Sequence, residues 1–172
     1  PRMLGGDMPN NPVYELDYRS KRRIVVDLQT EAGRALAYEL LDAAGPLRGL
    51  VIASPSNPTG TVLHDDRLAA IVAWCAANDV QLVADEIYHG LTYTGAAPTV
   101  LAHTGDAIVI NSFSKYFSMT GWRLGWVVCP PALVDTVERL QQNLYICAPH
   151  VSQVAGLAAL EITKRPRRRG ST

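Results

Sequence analysis

The side chains best suited to chemistry in this sequence follow three short apolar runs. They offer an amide, a carboxylate, a phenol, a hydroxyl, an amine and a guanidinium, carried by Asn57, Asp85, Tyr88, Ser112, Lys115 and Arg123. A lysine amine can act as a nucleophile and as a proton carrier. A guanidinium with a hydroxyl suits a phosphate dianion, and a carboxylate at the end of an apolar strand needs a cationic or hydrogen-bonding partner. The set predicts a site for covalent and acid-base chemistry beside a bound phosphate.

The elements that must position these residues alternate between strands and helices. Four runs are apolar almost throughout, which is typical of strands covered on both faces of a sheet, and they span residues 49–54, 80–85, 107–112 and 124–129. Apolar residues at helical spacing predict helices over residues 65–78, 131–144 and 151–162, the second with Pro131 at its first helical position. The small residues of the last helix predict close packing against a neighbouring element. We expect an α/β three-layer sandwich with a mixed, mostly parallel sheet, whose strands present ligand-binding residues at their carboxyl ends.

The remaining segments give weaker patterns. Leu36, Leu40 and Ala44 predict a short helix that ends at Gly45, whereas residues 1–11 show only turn chemistry. The chain begins with proline rather than methionine and stops soon after a helical pattern, so we expect it to be a piece of a longer protein.

Composition excludes several classes of protein. The chain has 172 residues, 48% hydrophobic and 19% charged, with no net charge, which is typical of a globular domain. Every apolar run is shorter than the roughly 20 residues of a membrane span, so a membrane protein is excluded. No spacing of Cys or His matches a metal site. The three cysteines, Cys75, Cys129 and Cys147, lie in apolar surroundings and predict buried, reduced thiols of a cytoplasmic protein.

The basic residues are distributed unevenly. Five of the sixteen Lys and Arg residues lie after residue 163, while all sixteen Asp and Glu residues lie before it. The acidic body argues against nucleic-acid binding. We interpret residues 164–172 as a solvated, disordered basic tail and residues 1–163 as one incomplete domain.

Three motifs around the candidate residues are informative together. They are Ser-Asn-Pro-Thr-Gly over residues 56–60, Asp-Glu-Ile-Tyr over residues 85–88, and Ser-Phe-Ser-Lys over residues 112–115 followed by Met-Thr-Gly-Trp-Arg-Leu-Gly-Trp over residues 119–126. Their types, order and separations resemble those of the fold type I pyridoxal-5′-phosphate enzymes, and within them the class I/II aminotransferases, over about residues 45–163. The resemblance implies that residues 1–163 are an incomplete large domain of that family.

The resemblance also implies three catalytic residues. Lys115 would hold pyridoxal 5′-phosphate as an internal imine and later move a proton, Asp85 would pair with the pyridine nitrogen, and Tyr88 would contact the cofactor's 3′ oxygen. The ordinary alternatives are a surface lysine, a turn-capping aspartate and a half-buried core tyrosine. Glu86, next to Asp85, is itself a candidate cap. Among the histidines, only His89 is expected near this site, because it directly follows Tyr88.

The remaining cofactor ligands follow from the same resemblance. Asn57 would join Tyr88 at the 3′ oxygen, while Ser112 and Arg123 would bind the phosphate, with Ser114 as a second candidate hydroxyl. The ordinary alternatives are an Asn-Pro turn, in which the peptide bond could be cis, serine hydrogen bonds within a turn, and an arginine ion pair.

The implied function is transfer of an amino group between an amino acid and a 2-oxo acid, in the cytoplasm, by a homodimer of the full-length protein without nucleic-acid or membrane partners. Two alternatives stay open. A pyridoxal-phosphate-dependent C–S lyase or decarboxylase of the same fold would use the same Lys115, Asp85 and Arg123, and a non-catalytic regulatory module could be built on an aminotransferase-like domain. The residues that would select the substrate lie outside the matched segment.

Overall fold

The computed structural model describes residues 30–43 and 45–164 of the chain. The turns predicted in residues 1–11, Ala44 and residues 165–172 of the basic tail fall outside the described residues. Two compact units divide between Pro46 and Leu47, and each is described by itself. In the first unit the described element is helix α1 (Glu31–Ala43). The elements of the second unit are, in chain order, β1 (Gly49–Ala53), α2 (Asp65–Ala77), β2 (Gln81–Asp85), β3 (Ile108–Ser112), β4 (Gly125–Val128), α3 (Val134–Leu144) and α4 (His150–Lys164).

The four strands form one mixed, mostly parallel sheet, as the sequence predicts, and their order across the sheet is β1, β2, β3, β4. The first three strands are parallel, and β4 pairs antiparallel with β3. Helix α2 provides the crossover that two parallel strands need. In the register of the sheet, Asp85 lies opposite Ala53 on one side and Ile110 on the other. The carboxyl ends of the three parallel strands therefore meet at one edge.

One face of the sheet packs against α2. Leu82 and Ala84 of β2 and Val109 of β3 are buried together with Leu68 and Cys75 of the helix. The apolar positions that predict the helix are those that meet the sheet, because they recur on one helical face. Burial raises the pKa of the Cys75 thiol.

The opposite face of the sheet is more open. Val51 is 73% exposed, and Ile110 and Val127 are exposed as well. Successive side chains of a strand point to opposite faces, so these residues point away from α2. The described part of the chain therefore leaves much of this second face uncovered, although the mixed, mostly parallel sheet with helices matches the predicted fold class.

Helix α4 fixes the segment that links β3 to β4. Ser152 is 3% exposed, and its Oγ donates a hydrogen bond to the backbone oxygen of Trp122 at 2.7 Å. A Cβ added at Gly156 would lie 2.5 Å from Cδ2 of Leu124 and 3.3 Å from Cζ of Phe113, so glycine allows the helix to approach closely. The close packing predicted for this helix is confirmed.

The observed strands and helices of the second unit lie within two residues of their predicted bounds, except that α3 begins at Val134, after a 3₁₀ turn over Pro131–Leu133. The cysteine prediction is correct for Cys75 but wrong for Cys147, which is exposed, and Cys129 is half-buried. Cys147 lies between α3 and α4, where its apolar neighbours Tyr145 and Ile146 are themselves exposed. None of the described helices combines the length and the apolar character that a membrane crossing requires.

Candidate active site

The turn after β1 is tied to the end of β2. The backbone N–H of Ser54 donates to the backbone oxygen of Asp85 at 3.1 Å, and the Ser54 hydroxyl accepts a hydrogen bond from Leu63 N at 3.0 Å. The turn exposes Asn57, and the peptide bond between Asn57 and Pro58 is cis. These contacts hold the start of the turn that carries Asn57 at the carboxyl edge of the sheet.

Asp85 is the last residue of β2 and is half-buried. Its Oδ1 accepts a hydrogen bond from Ile87 N at 3.1 Å. One of the two carboxylate oxygens therefore caps the turn, as the ordinary alternative predicts. Its Oδ2 accepts no hydrogen bond from the described residues, and no buried side-chain oxygen in that part of the chain lacks a partner. Oδ2 is therefore solvent-accessible and able to pair with a cationic group.

Glu86 belongs to a buried network that the sequence indicated only as a candidate cap. Its carboxylate accepts hydrogen bonds from Val100 N at 2.9 Å and from Thr99 Oγ1 at 2.8 Å, at the start of a short 3₁₀ turn. His89 Nδ1 lies 3.5 Å from Glu86 Oε2, and its Nε2 lies 3.1 Å from the backbone oxygen of Ser54. The histidine expected near the site thus bridges the ends of β1 and β2. The sequence did not indicate the hydrogen bond between Glu86 and Thr99, because thirteen residues separate them.

Lys115 and Tyr88 face each other from two different turns. The Nζ of Lys115 lies 5.6 Å from the centroid of the Tyr88 ring, and both side chains are half-buried. Lys115 follows the end of β3 by three residues, and its backbone oxygen accepts a hydrogen bond from Ser118 N at 3.0 Å. Lys115 is therefore not a fully exposed surface lysine.

Ser112 and Arg123 line the same cavity where β3 pairs with β4. The Ser112 hydroxyl donates to the backbone oxygen of Leu124 at 3.2 Å and accepts from Ser114 N at 2.9 Å, so the turn alternative applies to this serine. The guanidinium of Arg123 donates to the backbone oxygen of Thr120 at 3.3 Å and forms no ion pair with any described carboxylate. Arg123 is exposed, so its remaining donors are open to an anion.

Two cavities open beside these residues. One of about 400 Å³ is lined by Asn57 and Tyr88, and another of about 230 Å³ by Ser112, Ser114 and Arg123. The structure therefore brings the predicted residues together in pairs along one sheet edge. No hydrogen bond or ion pair joins Asp85 to the other five, and the described residues contain no group of three or more His, Cys, Asp or Glu side chains able to hold a metal ion.

Comparison with known proteins agrees with this geometry. The model of the family described as aminotransferase class I and II matches residues 19–168. Valine–pyruvate aminotransferase of Mycobacterium tuberculosis is 52% identical over 125 residues, which are 72% of this chain and 32% of that protein. Aspartate aminotransferase of Thermotoga maritima is 36% identical over 121 residues, which are 69% of this chain and 32% of that protein.

Solved structures share the fold. An aminotransferase from Mycobacterium tuberculosis superimposes with a TM-score of 0.65 at 51% identity, covering 70% of this chain and 34% of its own. Aspartate aminotransferase from Thermotoga maritima gives a TM-score of 0.65 at 33% identity, covering 71% of this chain and 34% of its own. The chain thus spans about a third of the length of the curated relatives it matches. The resemblance carried by the three motifs is confirmed, and the chain belongs to the class I and II aminotransferase family.

Proposed function

We propose that this chain is the cofactor-anchoring part of an aminotransferase that uses pyridoxal 5′-phosphate and moves an amino group between an amino acid and a 2-oxo acid. The observation that carries the proposal is the Lys115 amine, held 5.6 Å from the Tyr88 ring centroid at the carboxyl edge of the sheet. An amine held there can attack an aldehyde once it has lost its proton. Family membership supports the same activity.

The donors at this edge fit the chemical groups of the cofactor. Asp85 Oδ2, which has no partner among the described residues, suits a protonated ring nitrogen. Arg123 has no carboxylate partner among the described residues and lines one cavity with Ser112, which suits a phosphate dianion. Asn57 and Tyr88 line the other cavity, where an amide and a phenol can both donate to the 3′ oxygen.

Each residue has a separate task in the proposed reaction. When bound, pyridoxal phosphate supplies an electron sink for the bond that breaks at the substrate α-carbon. Asp85 would hold the ring nitrogen in its protonated form through its negative charge. Lys115 would be the covalent anchor of the cofactor, and its free amine would be the base and acid that moves a proton at the substrate α-carbon. Tyr88 holds the amine beside its ring.

The wider expectations belong to this proposal too. Relatives are named for valine and pyruvate, for aspartate and for N-acetyl-LL-diaminopimelate, so amino-group transfer is shared while the side chain varies. We propose an amino acid and a 2-oxo acid as the substrate classes. We also propose that the chain up to the end of α4 is part of a large domain, that the basic residues after Lys164 form a solvated tail, and that the full-length protein is a cytoplasmic homodimer.

Borohydride trapping tests the anchoring role of Lys115. Mixing the protein with pyridoxal phosphate should produce a visible absorbance band, and reduction should fix the label on Lys115, as mapped by mass spectrometry. Lys115→Ala should lose the label, whereas the matched control Lys164→Ala should keep it. A label of equal yield in Lys115→Ala would contradict the proposal.

Two further comparisons test the phosphate site and the reaction. Arg123→Ala should weaken binding of pyridoxal phosphate about 10- to 100-fold, as expected for loss of a charged hydrogen bond, and leave binding of pyridoxal unchanged. Equal losses for both ligands would exclude Arg123 as the phosphate ligand. In an assay of turnover, a new amino acid with a matching 2-oxo acid supports amino transfer, whereas ammonia with pyruvate, or carbon dioxide, would favour the lyase or decarboxylase alternative.

A further inference from the structure

Gly90 and Tyr116 touch across the two turns that carry the proposed active-site pair. A Cβ built on Gly90 would lie 2.7 Å from Cε2 and 3.1 Å from Cγ of Tyr116, and closer still to Cδ2. Real Cβ atoms do not approach a ring that closely, so the Tyr116 ring lies directly on the Gly90 backbone. Gly90 also has φ +85°, a left-handed conformation that glycine adopts without strain. Glycine is thus required here for two independent reasons.

The contact lies close in sequence to both members of the pair. Gly90 follows Tyr88 by two residues, and Tyr116 directly follows Lys115. The paired register of β2 and β3 ends at Asp85, and a last backbone hydrogen bond runs from Glu86 N to the backbone oxygen of Ile110. Past that point the structure gives no hydrogen bond between residues 87–91 and residues 113–119. The packing of Tyr116 on Gly90 is therefore the direct connection between the two turns beside the Lys115 amine.

The orientation of the Tyr116 ring is itself fixed by packing against other aromatic rings. Its ring meets Phe117 edge-on with centroids 5.1 Å apart, and Phe117 lies 4.8 Å from the ring of Phe113. Phe113 is 6% exposed and packs against α4 at Gly156. Aromatic pairs of this geometry are attractive beyond their buried area. A chain of packed rings thus runs from the core to the contact with Gly90.

We propose that Tyr116 and Gly90 are positioning residues, which hold the turn of Lys115 against the turn of Tyr88 and thereby set the place of the amine. The inference rests on the proposed function for its catalytic meaning, since Lys115 must lie within reach of the groups on which it acts. Small displacements of a reacting group lower rates steeply. The geometric part, the dependence of the Lys115–Tyr88 contact on Tyr116 and Gly90, can be measured without cofactor.

Nuclear magnetic resonance measures the geometric part. The chain contains three lysines, so protein labelled with ¹³C-lysine gives a simple spectrum. The wild-type protein should show a cross-peak between Lys115 Hε and the Tyr88 ring protons. Tyr116→Ala and Gly90→Ala should lose it, and Tyr116→Phe, which keeps the ring, should retain it. Tyr116 is 41% exposed, so its alanine variant is expected to fold, as circular dichroism can check.

A second glycine variant separates the effect of backbone strain from the effect of the clash with the Tyr116 ring. Gly45 has φ +73° and no heavy atom within 4 Å of a built Cβ, so Gly45→Ala introduces comparable strain without a clash. It should leave the cross-peak unchanged. The loss of thermal stability caused by Gly90→Ala should also be smaller in a Tyr116→Ala background, because the clashing ring is gone. Equal losses in both backgrounds would show that strain alone acts and would overturn the clash on which the inference depends.

Borohydride trapping separates this inference from the proposed function. Tyr116→Ala should lower the rate of labelling on Lys115 about tenfold, and Tyr116→Phe should restore it. If Lys115 is not labelled even in the wild type but the cross-peak follows Tyr116 and Gly90, the positioning role stands and the proposed anchoring fails. A cross-peak that is absent from the wild type, or that persists in folded Tyr116→Ala, overturns the positioning role whatever the labelling shows.

Discussion

Among the substitutions considered, that of Glu86 should lower the free energy of unfolding most. It is 5% exposed, and its carboxylate accepts hydrogen bonds from Val100 N at 2.9 Å and Thr99 Oγ1 at 2.8 Å. Val100 is 1% exposed, so water has little access to replace the carboxylate as an acceptor. Glu86→Ala therefore leaves two donors unpaired at the start of the 3₁₀ turn.

The size of the effect follows from the number of donors. A buried donor left without an acceptor costs about 1–3 kcal/mol, and removal of one partner from a buried charged contact costs about 3–5 kcal/mol. We expect Glu86→Ala to lower the free energy of unfolding by about 3–5 kcal/mol. Glu86→Gln keeps a carbonyl acceptor but loses the negative charge that faces His89, so its expected loss is about 1–2 kcal/mol.

Urea unfolding followed by far-ultraviolet circular dichroism measures these losses. With a urea dependence of about 2 kcal/mol per molar, the midpoint should fall by about 1.5–2.5 M for Glu86→Ala. Glu138, on α3, is exposed, and its side chain forms no hydrogen bond or ion pair with the described residues. Glu138→Ala is thus the matched control, with an expected change within about 0.5 kcal/mol.

The reasoning is refuted if Glu86→Ala and Glu138→Ala unfold at the same urea concentration. Should Glu86→Ala not fold at all, Glu86→Gln supplies the measurement against Glu138→Gln. Equal midpoints in that pair would show that the charge of Glu86 contributes nothing to the network.

Two further predictions concern the core and the sheet edge. Burial raises the pKa of the Cys75 thiol, so at pH 8 iodoacetamide should modify exposed Cys147 much faster than Cys75. The rate at Cys75 should increase as the pH rises and its thiolate forms. Equal rates at pH 8, measured by mass spectrometry, would contradict the packing of α2 on the sheet. A Cβ at Gly125 would lie 2.7 Å from the backbone oxygen of Asn111, so Gly125→Ala should lower stability by about 1–3 kcal/mol in thermal unfolding. Gly105→Ala, which has no atom within 4 Å of the built Cβ, is its control, and equal melting temperatures would argue against the close β3–β4 pairing.

Local sequence rules predicted the frame of the site well. Apolar runs of strand length alternate with helical spacing, so β2 and α2 are recognisable within a residue or so of their observed ends. The polar residues that follow each run, such as Asp85 and Lys115, then lie at the carboxyl edge, because parallel strands end at the same edge of the sheet. The coverage of the sheet was not predictable in the same way, because an apolar residue such as Val51 carries no mark of which element covers it.

Contacts that join distant parts of the chain are the ones that sequence reasoning missed. Glu86 and Thr99 are thirteen residues apart, and their hydrogen bonds depend on a loop whose path no local pattern specifies. Gly90 and Tyr116 are twenty-six residues apart, and each lies just outside a different motif. One signal was available: the glycine directly after Tyr88-His89 is a position where a close approach or a left-handed backbone is common.

The sheet and the turns position the proposed site in different ways, and this difference decides which substitutions matter. The ladder of β1, β2 and β3 fixes the starting points of the turns, and each turn is then closed by its own hydrogen bonds, such as Leu91 N to the backbone oxygen of Tyr88. Neither feature fixes one turn against another beyond the last ladder bond. Side chains must therefore hold neighbouring turns together. His89 connects the turns after β1 and β2, and Tyr116 connects the turns after β2 and β3. Substitutions at these two residues should therefore change cofactor anchoring more than they change stability, whereas loss of Glu86 should do the reverse.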